Sequence, residues 1–152
     1  MQEPKVHLEI GSRLENVELV QIAVEAALVQ LDVCEEMSHR IGTAVREAVA
    51  NAIQHGNGMD PDKQVEVDFK LDGNEVIIHV RDEGGGFDPG NIPDPLTPEN
   101  LLRPNGRGIL IMNQFMDEID YSYVDNRGTQ LTMRKRLALS RDASHRQEEE
   151  EE

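Results

Sequence analysis

The 152-residue sequence has little of what marks secreted, membrane-spanning or base-stacking proteins. Its single cysteine, Cys34, excludes an internal disulfide and leaves no second thiol to share a metal ion. Tryptophan is absent and aromatic residues make up only 3% of the chain, so few side chains could stack on nucleic-acid bases. No apolar run reaches the ~18 residues of a membrane span, and the first residues do not resemble a signal peptide. We therefore expect a cytoplasmic protein.

Basic residues are also scarce. The chain has 15 Lys and Arg against 30 Asp and Glu, for a formal net charge of -15. Residues 138–152 end in a run of glutamates and hold too few apolar residues to form a core. The sequence thus predicts one domain over residues 1–137 and a disordered acidic tail over 138–152. Such a charge argues against direct nucleic-acid binding, and leaves open a basic protein partner or a purely solubilising role.

The apolar pattern changes period along the chain and predicts a fold. Residues 5–10 alternate as a strand, and Ser12 stands at the N-cap position of a helix that continues to Leu31. The remaining predicted elements are an alanine-rich helix from Glu35 to His55 capped by Gly56, strands at 65–71 and 74–81, a proline-rich lid at 88–105, a helix at 106–116 and a hairpin over 118–137. This order predicts an α+β two-layer sandwich, with helices on one face of a mixed, mostly antiparallel sheet.

A polar stripe is predicted on the second helix. Glu47, Asn51 and His55 recur every four residues and so share one helix face. A stripe of this kind is usually only solvated. Here, however, a carboxylate and an amide oxygen are suitable ligands for Mg²⁺, and small residues beside them would leave room for a ligand: Ala44, Ala48 and Ala52.

Two glycine-rich segments complete the pattern. Residues 82–87, DEGGGF, directly follow a strand, and consecutive glycines let the backbone approach a ligand closely. Residues 105–108, NGRG, open the third predicted helix, where an asparagine cap and exposed N–H groups suit an anion. The P-loop, dinucleotide-binding and eukaryotic-type protein-kinase motifs are absent.

Three segments in this order resemble the N, G1 and G2 boxes of the GHKL ATPases, which use the Bergerat nucleotide-binding fold: EAVANAIQHG at 47–56, DEGGGF at 82–87 and NGRGI at 105–109. Over roughly residues 5–137, the chain most resembles the bacterial anti-sigma-factor serine-protein kinases. The resemblance implies ATP and Mg²⁺ as ligands. It also implies a homodimer that sequesters a sigma factor and phosphorylates a small anti-sigma-factor antagonist on Ser or Thr.

The resemblance further implies a role for each matching residue. Glu47 is the general base, and Asn51 holds Mg²⁺. Asp82 accepts a hydrogen bond from the adenine amino group, while Gly84 and Gly86 let the base and ribose lie against the backbone. The remaining nucleotide-binding residues are those of the third box: Asn105, Gly106, Arg107 and Gly108.

Two functions remain open at this point. The first is the ATP-dependent protein kinase just described. The second is a non-catalytic ATP-binding module whose nucleotide state switches its protein partners. The carboxylate of Glu47 favours the first, because a general base serves only a transfer reaction.

Overall fold

The computed structural model describes residues 5–84, 104–124 and 128–137, without the side chains of residues 104–109, 123 and 124. Gly86, most of the predicted lid and the predicted acidic tail lie outside the described residues, so the boundary at residue 137 stays a prediction. Within the described ranges, no helix combines the length and the hydropathy that a membrane span requires.

Five strands form one sheet: β1 Lys5–Gly11, β2 Gln64–Asp72, β3 Glu75–Arg81, β4 Glu118–Val124 and β5 Gly128–Arg136. Their spatial order is β1-β2-β3-β5-β4, and each of these neighbouring pairs is antiparallel. Alternation along β2 separates the two faces of the sheet. Val65, Val67 and Phe69 are buried, whereas the residues between them are partly exposed. The half-buried strand predicted for this segment is confirmed.

Among the described residues, three α-helices cover the buried face of the sheet: α1 Glu15–Gln30, α2 Glu35–Asn51 and α3 Pro104–Phe115. The middle helix, α2, packs against both α1 and α3. The core lies between helices and sheet, where Leu28, Ile41 and Phe69 are among its largest fully buried side chains. The predicted α+β two-layer sandwich is therefore confirmed.

The predicted start of α1 is wrong in one respect. Ser12 does not cap the helix, whose N-cap position is Leu14. Instead Ser12 is 1% exposed, and its Oγ accepts a hydrogen bond from Asn57 Nδ2 at 3.2 Å. The Ser12 hydroxyl therefore bonds the side chain of Asn57, which is distant in sequence, and not the first turn of α1.

The ends of two other helices also differ from prediction. The α-helical part of α2 ends at Asn51 and continues as a π-helical turn, Ala52–Gly56, which a hydrogen bond from Asn57 N to Ala52 O closes at 2.8 Å. Gly56 therefore lies inside this turn and is not a C-cap. Helix α3 begins at Pro104, a residue suited to a first helical position, so Asn105 lies inside the first turn and is not the cap.

Candidate functional site

Asp82 is a nearly buried carboxylate that directly follows β3, with 7% of its surface exposed. Its Oδ1 accepts hydrogen bonds from the backbone N–H groups of Gly84 at 2.9 Å and Thr129 at 3.1 Å. Burial raises the pKa of Asp82, and the two backbone hydrogen bonds oppose that shift. Both bonds end on Oδ1. Among the described residues no group donates to Oδ2, so this oxygen can accept a hydrogen bond from a ligand. A nearly buried carboxylate with a raised pKa is a candidate for a functional residue.

Three glycines close around this carboxylate. A Cβ atom on Gly56 would lie 2.1 Å from Asp82 Oδ2, and one on Gly128 would lie 2.1 Å from Asp82 O. A Cβ on Gly84 would lie only 1.7 Å from Gly56 O. These positions therefore need glycine for the packing of Asp82 itself. The predicted contact of Gly84 with a purine stays a prediction.

Thr129 carries an unpaired polar atom beside Asp82. The residue is 8% exposed, and its Oγ1 is the one buried side-chain nitrogen or oxygen without a hydrogen-bond partner among the described residues. An unpaired buried hydroxyl costs free energy that a bound ligand can recover. Thr129 lies outside the three sequence motifs. Its position follows from the pairing of β3 with β5, in which Arg81 pairs with Gln130 and the next position along the ladder joins Asp82 to Thr129.

Glu47 and Asn51 lie one helical turn apart on α2, and both are half-buried. The third residue of the predicted stripe, His55, is exposed and lies on the π-helical turn beyond the end of α2, so its place in the stripe stays a prediction. The predicted role of the neighbouring alanines is wrong, since they belong to the hydrophobic core: Ala44, Ala48 and Ala52.

The π-helical turn joins the two parts of the candidate site. It follows Asn51 directly, and its last residue, Gly56, packs against Asp82. The structure thus brings the end of α2 to the end of β3, two segments that the sequence separates by about 30 residues.

The third predicted segment lies at the start of α3, which packs on α2. Asn105, Gly106, Arg107 and Gly108 occupy the first five positions of this helix together with Pro104. Backbone N–H groups in the first turn of a helix have no intrahelical partner and attract anions. A phosphate-binding role for these residues stays a prediction, as does the contact of Gly86 with the base and ribose.

The donor atoms at this end of the fold fit a magnesium–nucleotide complex. Glu47 and Asn51 offer carboxylate and amide oxygens, the ligand types that Mg²⁺ prefers. Asp82 Oδ2 and Thr129 Oγ1 offer polar atoms in nearly buried surroundings, which suit the polar edge of a flat base.

Comparison with known proteins identifies the domain. A family model described as the histidine kinase-like ATPase domain matches residues 10–135. An anti-sigma F factor of Geobacillus kaustophilus is 36% identical over 139 residues, which cover 90% of this chain and 95% of that protein. An anti-sigma F factor of Clostridium novyi is 33% identical, covering 88% of this chain and 94% of that protein.

Solved structures share the fold. The RsbU and RsbW domains of a Mycobacterium tuberculosis protein match with a TM-score of 0.65 and 20% identity, covering 88% of this chain and 32% of that one. The catalytic domain of the histidine kinase ThkA matches with a TM-score of 0.56 and 14% identity, covering 88% of this chain and 99% of that one. An ATPase domain takes ATP, so ATP binding follows from the family description. The chain belongs to the histidine kinase-like (GHKL) ATPase family and, within it, to the family of the bacterial anti-sigma F factors.

Proposed function

We propose that this protein is an ATP-dependent anti-sigma factor that holds a sigma factor and phosphorylates a small anti-sigma-factor antagonist on Ser or Thr. The observation that carries the nucleotide part is the nearly buried pair of Asp82 and Thr129, with an unpaired hydroxyl beside a carboxylate. The name that the relatives carry, anti-sigma F factor, supports a sigma factor as partner.

Adenine recognition rests on Asp82 and Thr129. Asp82 Oδ2 accepts a hydrogen bond from the adenine amino group, and Thr129 Oγ1 bonds the same edge of the base directly or through a water molecule. Guanine presents a carbonyl where adenine presents an amine, so guanine would oppose two acceptors in a nearly buried place. The pair therefore selects ATP over GTP.

The end of α2 binds Mg²⁺, and the start of α3 binds the phosphates. Asn51 holds Mg²⁺ through a neutral amide oxygen, which adds no negative charge beside the phosphates. When bound, that ion neutralises part of the charge on the phosphate oxygens. Phosphate contacts come from the segment that opens α3: Asn105, Gly106, Arg107 and Gly108. Gly84 and Gly86 let the base and ribose lie against the backbone.

Glu47 is the general base of the transfer. It takes the proton from the antagonist's Ser or Thr hydroxyl as that oxygen bonds to the γ-phosphorus. The bond between the γ-phosphorus and the β–γ bridging oxygen breaks, and ADP leaves with that electron pair. The i, i+4 spacing of Glu47 and Asn51 supports this role, because it places the base on the helix face that holds the ion.

The charge of the chain supports the choice of partners. Its net charge of -15 complements the basic surface that a DNA-binding sigma factor presents. Phosphorylation of the antagonist adds negative charge, and an acidic surface repels the product. Binding of the sigma factor and release of the antagonist would then follow from the same charge.

The outer face of α1 supports a homodimer. Besides the stripe that packs on the core, this helix exposes a second apolar row: Leu19 at 62%, Ile22 at 57%, Val29 at 43%, and the small Ala26 between the last two. The spacing of three, four and three residues reads the same in both directions. Two antiparallel copies would therefore set Ile22 against the second copy's Ala26, and Leu19 against its Val29, in a self-complementary contact.

Sedimentation velocity tests this contact. Ile22→Glu should shift the protein to the mass of a monomer, whereas Leu110→Glu, a change at an apolar residue on α3 that is 45% exposed, should leave the dimer intact. Monomers in the parent protein, or dimers in Ile22→Glu, would contradict the proposed interface.

A pull-down with and without nucleotide, followed by mass spectrometry of the antagonist, tests the function as a whole. We expect the sigma factor to be retained with ATP and the antagonist to gain a phosphate on Ser or Thr. If ATP changes partner binding while no antagonist residue gains phosphate, the non-catalytic module is the right function.

A further inference from the structure

Asn57 is a buried amide that immediately follows the π-helical turn, with 3% of its surface exposed. Its Nδ2 donates to Ser12 Oγ at 3.2 Å and to Gln64 O at 3.0 Å, and its Oδ1 accepts from Glu83 N at 2.7 Å. Both donor hydrogens and the acceptor are therefore engaged. A single side chain ties together the ends of β1, β2 and β3.

Glu83 completes a closed ring with Asn57. Its Oε2 accepts from Gln64 N at 2.7 Å, so the backbone of Gln64 is bonded on one side to Glu83 and on the other to Asn57. Glu83 stands between Asp82 and Gly84, and its own N–H is bonded to Asn57. The Asn57 amide thus fixes the peptide that carries Asp82.

The main chain of Asn57 fixes the other half of the site. Its N–H donates to Ala52 O at 2.8 Å and closes the π-helical turn that follows Asn51. The same residue therefore holds the end of α2 with its main chain and the end of β3 with its side chain. Asparagine is suited to this task because one short planar group carries both donors and an acceptor.

We propose that Asn57 is a positioning residue of the nucleotide site, which sets the separation between Asn51 and Asp82 so that one ATP molecule engages both. The inference rests on the proposed function, in which these two residues bind opposite ends of the same nucleotide. Asn57 acts through the peptide of Glu83 and the π-helical turn and does not touch the nucleotide.

Three variants of the full-length protein separate positioning from folding. Asn57→Ala removes all three side-chain bonds. Ser12→Ala removes only the bond to Asn57 Nδ2 and serves as the matched control for lost stability. Asn57→Asp keeps an acceptor for Glu83 N, and once protonated its carboxyl group can donate to Gln64 O. Each variant is characterised by its melting temperature and by calorimetric titration with Mg-ATP and with adenosine.

We expect Asn57→Ala to weaken Mg-ATP binding about tenfold, the scale of one misplaced buried hydrogen bond. Adenosine reaches only the Asp82 half of the site, so its affinity should change less than about threefold. Ser12→Ala and Asn57→Asp should melt at lower temperature yet bind Mg-ATP within about threefold of the parent. A purely structural role would instead make ATP affinity follow the melting temperature across all three variants.

Equal Mg-ATP affinities of Asn57→Ala and Ser12→Ala would overturn the proposal, as would a folded Asn57→Asp that loses ATP tenfold. If Asn57→Ala does not fold in buffer, the same titration in sucrose, which favours the folded state, decides the matter. A parent protein that binds ATP no better than GTP would instead count against the proposed function and leave the hydrogen-bond ring unexplained.

Discussion

Asp82 and Thr129 hold each other through two hydrogen bonds, from Asp82 N to Thr129 O at 3.0 Å and from Thr129 N to Asp82 Oδ1 at 3.1 Å. The two residues are thus joined through the main chain of Thr129, and both are nearly buried, with the Thr129 hydroxyl unpaired among the described residues. The Asp82 carboxylate and this hydroxyl both lower the stability of the free protein, because burial disfavours a charge and an unpaired hydroxyl. A ligand that forms hydrogen bonds with both groups would recover this free energy.

Asp82→Asn should separate ligand binding from folding. We expect it to weaken Mg-ATP binding by about 2 kcal/mol or more, since the adenine amine would meet an amide in place of a charged acceptor. Its free energy of unfolding without nucleotide should not fall at pH 7, because burial raises the pKa of Asp82 and so penalises the charged form. Calorimetry and urea unfolding measure the two effects. Equal affinities of the parent for Mg-ATP and Mg-GTP would refute the adenine assignment.

Thr129→Val should have opposite effects on folding and on binding. The change removes the unpaired Oγ1 at nearly constant volume, so the melting temperature without nucleotide should stay the same or rise. The affinity for ATP should fall several-fold. Thr132→Val is the matched control, because the Thr132 hydroxyl bonds His79 on the open face of the sheet and should leave ATP affinity unchanged. Unchanged ATP affinity in Thr129→Val would remove this hydroxyl from the site.

Gly84→Ala tests the close packing of the strand end on the π-helical turn. The new Cβ would lie 1.7 Å from the backbone oxygen of Gly56, so we expect a loss of about 3 kcal/mol or more in the free energy of unfolding. Gly11→Ala is the control. Its Cβ would come no closer than 3.7 Å to Asn16 Nδ2, an ordinary van der Waals contact, so its effect should stay below about 1 kcal/mol. Similar losses in the two variants would show that the contact at Gly84 relaxes easily.

The open face of the sheet should show two histidines with opposite pKa shifts. The hydrogen bond to Asp68 raises the pKa of His7, whereas burial, and next the charge of Arg81, lower the pKa of His79. The bond at His7 therefore stabilises the fold fully below the unfolded pKa of 6.5 and is lost as pH rises through the folded pKa. His79 acts in the opposite sense, and stability falls as pH drops below 6.5 toward its folded pKa.

Proton NMR titration measures both values directly. We expect His7 to titrate above 6.5 and His79 below it, and Asp68→Asn to bring the pKa of His7 back toward 6.5. If the pKa of His7 in Asp68→Asn equals its pKa in the parent, the hydrogen bond to Asp68 is not the cause of the shift.

The fold could be predicted because its signals are local. The alternation of Val65, Val67 and Phe69 marks β2, and the glycine-rich segments mark both ends of the site. The π-helical turn has no local sequence signal, and the side chain of Asn57, which follows it, is held by Ser12, Gln64 and Glu83 from other parts of the chain. Asp82 was found through its place beside three glycines. Thr129 has no such local signal, because its position next to Asp82 depends on how β3 and β5 pair.

Tertiary contacts override two local signals of the sequence. Ser12 looked like a helix cap, since serine next to a helix usually bonds the first turn, but the buried Asn57 amide competes for its hydroxyl. The alanines of α2 looked like room for a ligand, but the sequence did not reveal that α1 and α3 pack on both sides of that helix.

Transfer of labelled γ-phosphate from ATP to the antagonist, measured with Glu47→Ala and with the parent as the enzyme, is the most direct test of the proposed kinase. This variant should bind Mg-ATP with the parent's affinity and transfer phosphate roughly 10² to 10⁴ times more slowly, the usual effect of losing a general base. Asn51→Ala should instead weaken Mg²⁺-dependent ATP binding itself, and Glu36→Ala, a change at an exposed residue on the same helix, should behave as the parent. Transfer by Glu47→Ala at the parent rate, or a parent that binds ATP without labelling the antagonist, would contradict the account.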